Sequence, residues 1–211
     1  MTAERAEPSR ELRNAQTIET EVQRHQEHDE AGNSKFGFIV FLLSESVIFL
    51  SFFVGYTVFK TTATPGAWYP AGVTGLETRE PLINTIVLVS SSFVIYVAER
   101  YLHDKKLWGF RLFLLVTMAM GGYFLFGQLV EWRSLPFTYQ SGLFGSAFFL
   151  LTGFHGLHVL TGILLQTLML GRSFIPNNYD NGFFGVEATS LFWHFVDVIW
   201  IVLYGLIYVW Q

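Results

Sequence analysis

The stretch FGFIVFLLSESVIFLSFFVGYTVF, residues 36–59, carries a single charge, Glu45, in twenty-four positions. As a helix rising ~1.5 Å per residue it would extend ~36 Å, enough to cross a hydrocarbon core of ~30 Å. An apolar run of this length reads as a transmembrane helix. Working outward, four more runs of the same kind follow, at about 81–102, 109–131, 141–170 and 187–210. The expected fold class is therefore all-α, an integral membrane bundle of five transmembrane helices over residues 36–211. Pro81 suits the first turn of its helix, where no amide donor is missed. The fourth run is the longest and is expected to tilt. Between the runs lie charged stretches or stretches rich in Pro, Gly and Asn, with Pro65, Pro70, Pro136 and Pro176 as their markers.

Composition agrees. Of 211 residues, 51% are hydrophobic and 18% aromatic, but only 14% are charged, where a soluble domain has ~25%. Thirteen of the thirty charged residues fall in residues 1–35, which reads as a polar, flexible N-terminal tail with at most a loose helix over 10–26. His25 and His28, beside Asp29, belong to that solvated stretch rather than to a metal site. With no cysteine, disulfides, thiolate metal sites and Cys nucleophiles are excluded. The chain shows no phosphate loop, hydrolase elbow, zincin motif or basic nucleic-acid patch.

Basic residues set the expected orientation. With the tail inside, ten Lys and Arg lie on the inner side, and only Lys60, Arg79 and Arg133 lie outside. The N-terminus is thus expected inside and the C-terminus outside.

An ionisable side chain within the bilayer costs ~2.5–3.5 kcal/mol on insertion scales, so each asks for a partner or a role. Five qualify: Glu45, His155, His158, His194 and Asp197. Glu45 lies roughly 14 Å past Phe36, and His158 roughly 18 Å from Leu170 at the other end of an oppositely directed helix. Glu45, His158, His194 and Asp197 can therefore share one half of the bilayer. Glu187, Ser190, His194, Asp197, Tyr204 and Tyr208 follow one side of the fifth helix. His194 and Asp197, three apart, suggest a carboxylate–imidazole bond. Two readings stay open for the histidines. One is interhelical hydrogen bonding; the other is a metal or haem site built from His155, His158 and His194. Glu45 in its apolar setting favours the neutral acid, as a proton-exchanging or hydrogen-bonding group. Glu99 and Glu131 sit at span ends and read as interfacial. Small residues four apart in the fourth run (Ser141 and Gly145, Gly142 and Ser146, Thr152 and Gly156) point to close helix approach.

The string Phe192-Trp-His-Phe-Val-Asp-Val-Ile-Trp200 resembles the last-helix motif of subunit III of the haem–copper terminal oxidases. Gly153-Phe-His-Gly-Leu-His-Val159 resembles that family's penultimate-helix motif. Ser44-Glu45 resembles its buried-carboxylate helix, and Leu82-Ile-Asn-Thr85 and Gly142 through Phe149 match in order. The resemblance covers about residues 36–211. It implies a non-catalytic subunit, in contact with oxidase subunit I and in a complex with subunit II. That complex oxidises cytochrome c, or quinol in a sister branch, reduces dioxygen to water and pumps protons. Haem and copper are expected in the partner subunits and none in this chain. The resemblance also implies bound phospholipid, support of proton uptake at Glu45, and interhelical hydrogen bonding at His155, His158, His194 and Asp197. Trp68, Trp193 and Trp200 are the candidates for lipid or interface contact. A bacterial inner membrane or equivalent respiratory membrane is the expected location. Longer relatives have seven spans against the five expected here, leaving the family's lipid cleft shallower or completed by another subunit. The contrasting readings are a stand-alone metal- or haem-binding membrane protein and an accessory protein of nitric oxide reductase systems.

Overall fold

The computed structural model describes residues 10–64, 67–70, 72–176, 178–179 and 182–210, with side chains from residue 32 onward. His25, His28 and Asp29 lie outside the described side chains. The elements are α1 (Arg10–Thr62), α2 (Arg79–His103), α3 (Leu107–Ser134), α4 (Gly142–Arg172) and α5 (Phe184–Tyr204). A π-helical turn, Gly205–Val209, follows α5 directly. No strand occurs among the described residues. Five helical segments are long and apolar enough to cross a membrane: Gly32–Thr62, Arg79–His103, Leu107–Ser134, Gly142–Arg172 and Phe184–Val209. Each expected span is present, and each runs past its expected bounds at one or both ends. The helix continues because main-chain polar groups in lipid have no partner except the helix itself.

The chain divides into two compact units, Met1–Phe41 and Leu42–Gln211. In the first, Phe36, Ile39, Val40 and Phe41 are exposed. The second holds the remainder of α1 and all later elements. There, α2 packs on α3 and α5, and α4 packs on α3 and α5, so the four close a ring in the order α2, α3, α4, α5. The outer faces are apolar and bare: Phe93, Phe126 and Leu164 are all exposed, as suits helices whose solvent is hydrocarbon. The part of α1 in this unit lies against α4, with Phe49 and Phe154 ring centroids 5.0 Å apart. At its end, Lys60 donates to the Trp210 carbonyl and sits 4.3 Å from the Trp210 ring centroid.

Close packing centres on Trp193, which is fully buried. A Cβ on Gly121 of α3 would stand 2.6 Å from Trp193 Cη2, and one on Gly162 of α4 would stand 2.6 Å from Cε3. Only glycine leaves room for the ring on both sides. The Thr152 and Gly156 pair does not play this part: a Cβ on Gly156 would meet only Leu125, at 3.7 Å. On the loop after α4, Arg111 Nε donates to Ser173 Oγ at 2.9 Å, and Tyr179 OH donates to Met169 O at 2.6 Å. Burial pushes the Tyr179 phenol up, with Arg172 opposing, so the hydroxyl keeps the proton it donates.

Candidate functional site

Buried polar groups gather in three places, each where two helices meet. The first joins α1 to α4. Glu45 Oε2 lies 3.1 Å from His158 Nε2, both side chains mostly buried. His158 Nδ1 lies 2.8 Å from the Phe154 carbonyl oxygen. A carbonyl only accepts, so Nδ1 carries a hydrogen. Nε2 then either accepts a proton shared by a neutral Glu45 or donates to a carboxylate. In both forms one proton lies between the two groups, and their net charge is zero. Rings box the pair: Phe49 at 4.9 Å, Phe154 at 4.7 Å and Phe192 at 6.2 Å from the imidazole centroid.

The second cluster joins α2 to α5. Ser92 Oγ donates to Asp197 Oδ2. Its oxygen is then free to accept from His194 Nδ1–H, 2.9 Å away. Ser190 Oγ lies 3.5 Å from His194 Nε2. The direct His194–Asp197 bond expected from their spacing is not formed: the Ser92 hydroxyl stands between them. At i and i+3 the two side chains reach the same neighbouring helix, and a hydroxyl there satisfies both.

Along the same seam, indole donors meet hydroxyls. Trp193 Nε1 donates to Ser91 Oγ at 2.8 Å, and Ser91 Oγ donates to Leu88 O at 2.5 Å. Trp200 Nε1 donates to Thr85 Oγ1 at 2.9 Å, and Thr85 donates to Pro81 O at 2.7 Å. Pairs 85 with 200 and 91 with 193 run in opposite directions along the two helices, so α2 and α5 are antiparallel and zipped. Trp193 and Trp200, expected as lipid or interface contacts, are instead buried inside the bundle. Each indole is the donor of a helix–helix bond, and each ring fills the core. Trp68 is half-buried, edge-on to Tyr56 and Phe144.

The third cluster joins α3 to the turn that follows α5. Glu131, read above as interfacial, accepts from Gln128 Nε2 at 2.9 Å and from Tyr208 OH at 2.8 Å. The π-helical turn, closed by Trp210 N–H donating to Gly205 O at 2.9 Å, presents Tyr208 to α3. A Gln three residues before a Glu was the available signal. Glu99 does stay near an end, 3.8 Å from His103.

His155 is fully buried, its ring 4.7 Å from Trp200 and edge-on to Phe124 at 5.6 Å. Neither of its nitrogens has a hydrogen-bond partner among the described residues. The three histidines thus serve three environments: His158 faces Glu45, His194 faces Ser92, and His155 faces rings. Among the described residues no group of three His, Asp or Glu side chains converges to hold a metal. What the clusters can do is hold protons and hold helices together.

Comparison with known proteins gives a consistent picture. The family model for cytochrome c oxidase subunit III matches residues 12–211. The chain is 42% identical over 190 residues to cytochrome c oxidase subunit 3 of Synechocystis sp., covering 90% of this chain and 81% of that one. It is 40% identical to the protein of the same name from Thermostichus vulcanus, covering 82% and 85%. It is 39% identical to that of Pongo abelii, covering 83% and 69%.

Proposed function

The chain belongs to the cytochrome c oxidase subunit III family, and we propose that it is the supporting, non-catalytic subunit of a proton-pumping oxidase. On this reading it sits on subunit I, in a complex with subunit II, in a bacterial respiratory membrane. The N-terminus lies inside and the C-terminus outside. Electrons come from cytochrome c, a reading supported by the name cytochrome c oxidase subunit 3 that its relatives carry. Haem and copper reside in the partner chains.

The observation that carries the reading is the Glu45–His158 pair. A glutamate mostly shielded from water, 3.1 Å from an imidazole whose other nitrogen is committed to a carbonyl, is a proton store. The shared proton can shift from one group to the other without leaving an isolated charge in lipid. Phospholipid against the bare apolar faces keeps that region dry. The pair thereby supports proton uptake by subunit I and sustains its turnover. The separate settings of His155, His158 and His194 support this reading over a metal or haem enzyme built from the three.

The test is removal of the subunit from the purified complex. Cytochrome c oxidation should persist with haem and copper retained, but the number of turnovers before inactivation should fall. Immediate loss of oxidation with the metals still bound contradicts the proposal.

A further inference from the structure

At the end of the bundle where α2 begins and α3 stops, a cavity of about 410 Å³ opens between the two helices. Its wall carries Glu77, Glu80 and Glu131, and none of its described lining residues is basic. Deeper in the same wall stands Asn84. Asn84 is only 7% exposed, yet its amide makes no hydrogen bond among the described residues and is not sealed from the cavity. Its position is built. A Cβ on Gly127 of α3 would stand 2.3 Å from Asn84 Nδ2, so the amide occupies space that only glycine leaves. Further down the wall are Tyr123 and Phe126, both exposed on the outer face of α3.

We infer that this cavity binds the headgroup of a zwitterionic phospholipid with a primary ammonium. The polarity of the wall follows the order of such a molecule. At the mouth, the carboxylates of Glu77 and Glu80 accept from the ammonium. One helical turn in, ~6 Å deeper than Glu80, the Asn84 amide donates to a phosphate oxygen. Tyr123 lies ~12 Å along α3 from Glu131, and with Phe126 it receives the glycerol and the start of an acyl chain. A bare metal ion fits less well, because the carboxylates do not converge on one point and the space is many times an ion's volume. An anionic headgroup meets three carboxylates and no cation. The inference rests on the proposed membrane-subunit role and names a lipid site remote from Glu45.

The test uses the intact oxidase complex carrying the Glu77→Gln/Glu80→Gln double variant. Both residues are exposed and lie outside the helix-joining clusters. Complexes are assembled in an equal mixture of phosphatidylethanolamine and phosphatidylglycerol, and retained lipids are counted by native mass spectrometry. The wild type should hold one phosphatidylethanolamine that the double variant holds about fivefold more weakly, as two exposed ion pairs would give. Phosphatidylglycerol retention should not change. Asn84→Ala should weaken the same lipid. Equal phosphatidylethanolamine retention in wild type and double variant overturns the inference. So does loss of a divalent cation, or of another subunit, with lipid unchanged. If the chain fails to co-purify with a haem–copper subunit, the proposed function falls, and the lipid count on the purified chain alone still decides the site.

Discussion

Gly162→Ala is the sharpest probe of the packing. The new methyl would stand 2.6 Å from Trp193 Cε3 and 2.8 Å from Cζ3, against a comfortable carbon separation of ~3.5–4.0 Å. The ring must therefore retreat by about 1 Å. It has nowhere to go. On its far side the Cβ position of Gly121 is 2.6 Å from Cη2, so α3 is already in contact. Its Nε1 is tied to Ser91 at 2.8 Å. Retreat strains the core by ~1–3 kcal/mol, as overpacking does. Losing the indole bond adds ~0.6 kcal/mol, the average for such bonds in membranes. We expect a cost of about 2 kcal/mol, a ~30-fold loss in the folding equilibrium. The assay is unfolding by dodecyl sulfate titration in mixed micelles. Gly122→Ala is the control: a Cβ there meets nothing within 4 Å, so the variant should be neutral or more stable by up to ~1 kcal/mol. Trp193→Phe removes the atoms that clash, so its combination with Gly162→Ala should cost less than the two singles together. Equal stability of the Gly162 and Gly122 variants would refute the reasoning.

Two further predictions concern the polar seams. Ser92→Ala leaves Asp197 and His194 without their shared hydroxyl and should destabilise by ~1–3 kcal/mol in the same titration, with Ser92→Thr restoring most of it; indifference to both changes would remove Ser92 from the seam. Tyr208→Phe should cost ~0.5–1.5 kcal/mol and show a coupling of at least ~0.5 kcal/mol with Glu131→Gln in a double-mutant cycle, whereas additive effects would mean the hydroxyl and carboxylate act separately.

The spans could be read from sequence because lipid allows few alternatives to long apolar helices, and residues 36–59 state this plainly. The meeting of Glu45 with His158 was foreshadowed by depth, since antiparallel helices of known rise bring those positions level. Lateral contacts were not legible. Trp193 and Trp200 carry the residue type that also lines membrane interfaces, so composition pointed outward where packing turned them inward. The partners on α2 were hidden for another reason. Hydroxyls in membrane helices commonly bond their own preceding turn, as Ser46, Ser51 and Thr57 do here. Nothing local distinguishes Thr85, Ser91 and Ser92, which do so or reach across. Glu131 looked solvated because it lies near a span end. Only the π-helical turn brings Tyr208 to it.

The most direct test of the central claim is the infrared spectrum of the carboxyl region in the intact complex. If Glu45 is a neutral acid sharing its proton with His158, a carboxylic-acid carbonyl band sensitive to deuterium exchange should be present. It should vanish in Glu45→Gln, which keeps a donor toward His158 and should leave assembly intact. The band should shift, without vanishing, in His158→Gln. A band untouched by His158→Gln would contradict the shared proton, and absence of a Glu45-dependent band, or assembly that collapses in Glu45→Gln, would mark Glu45 as a charged partner instead.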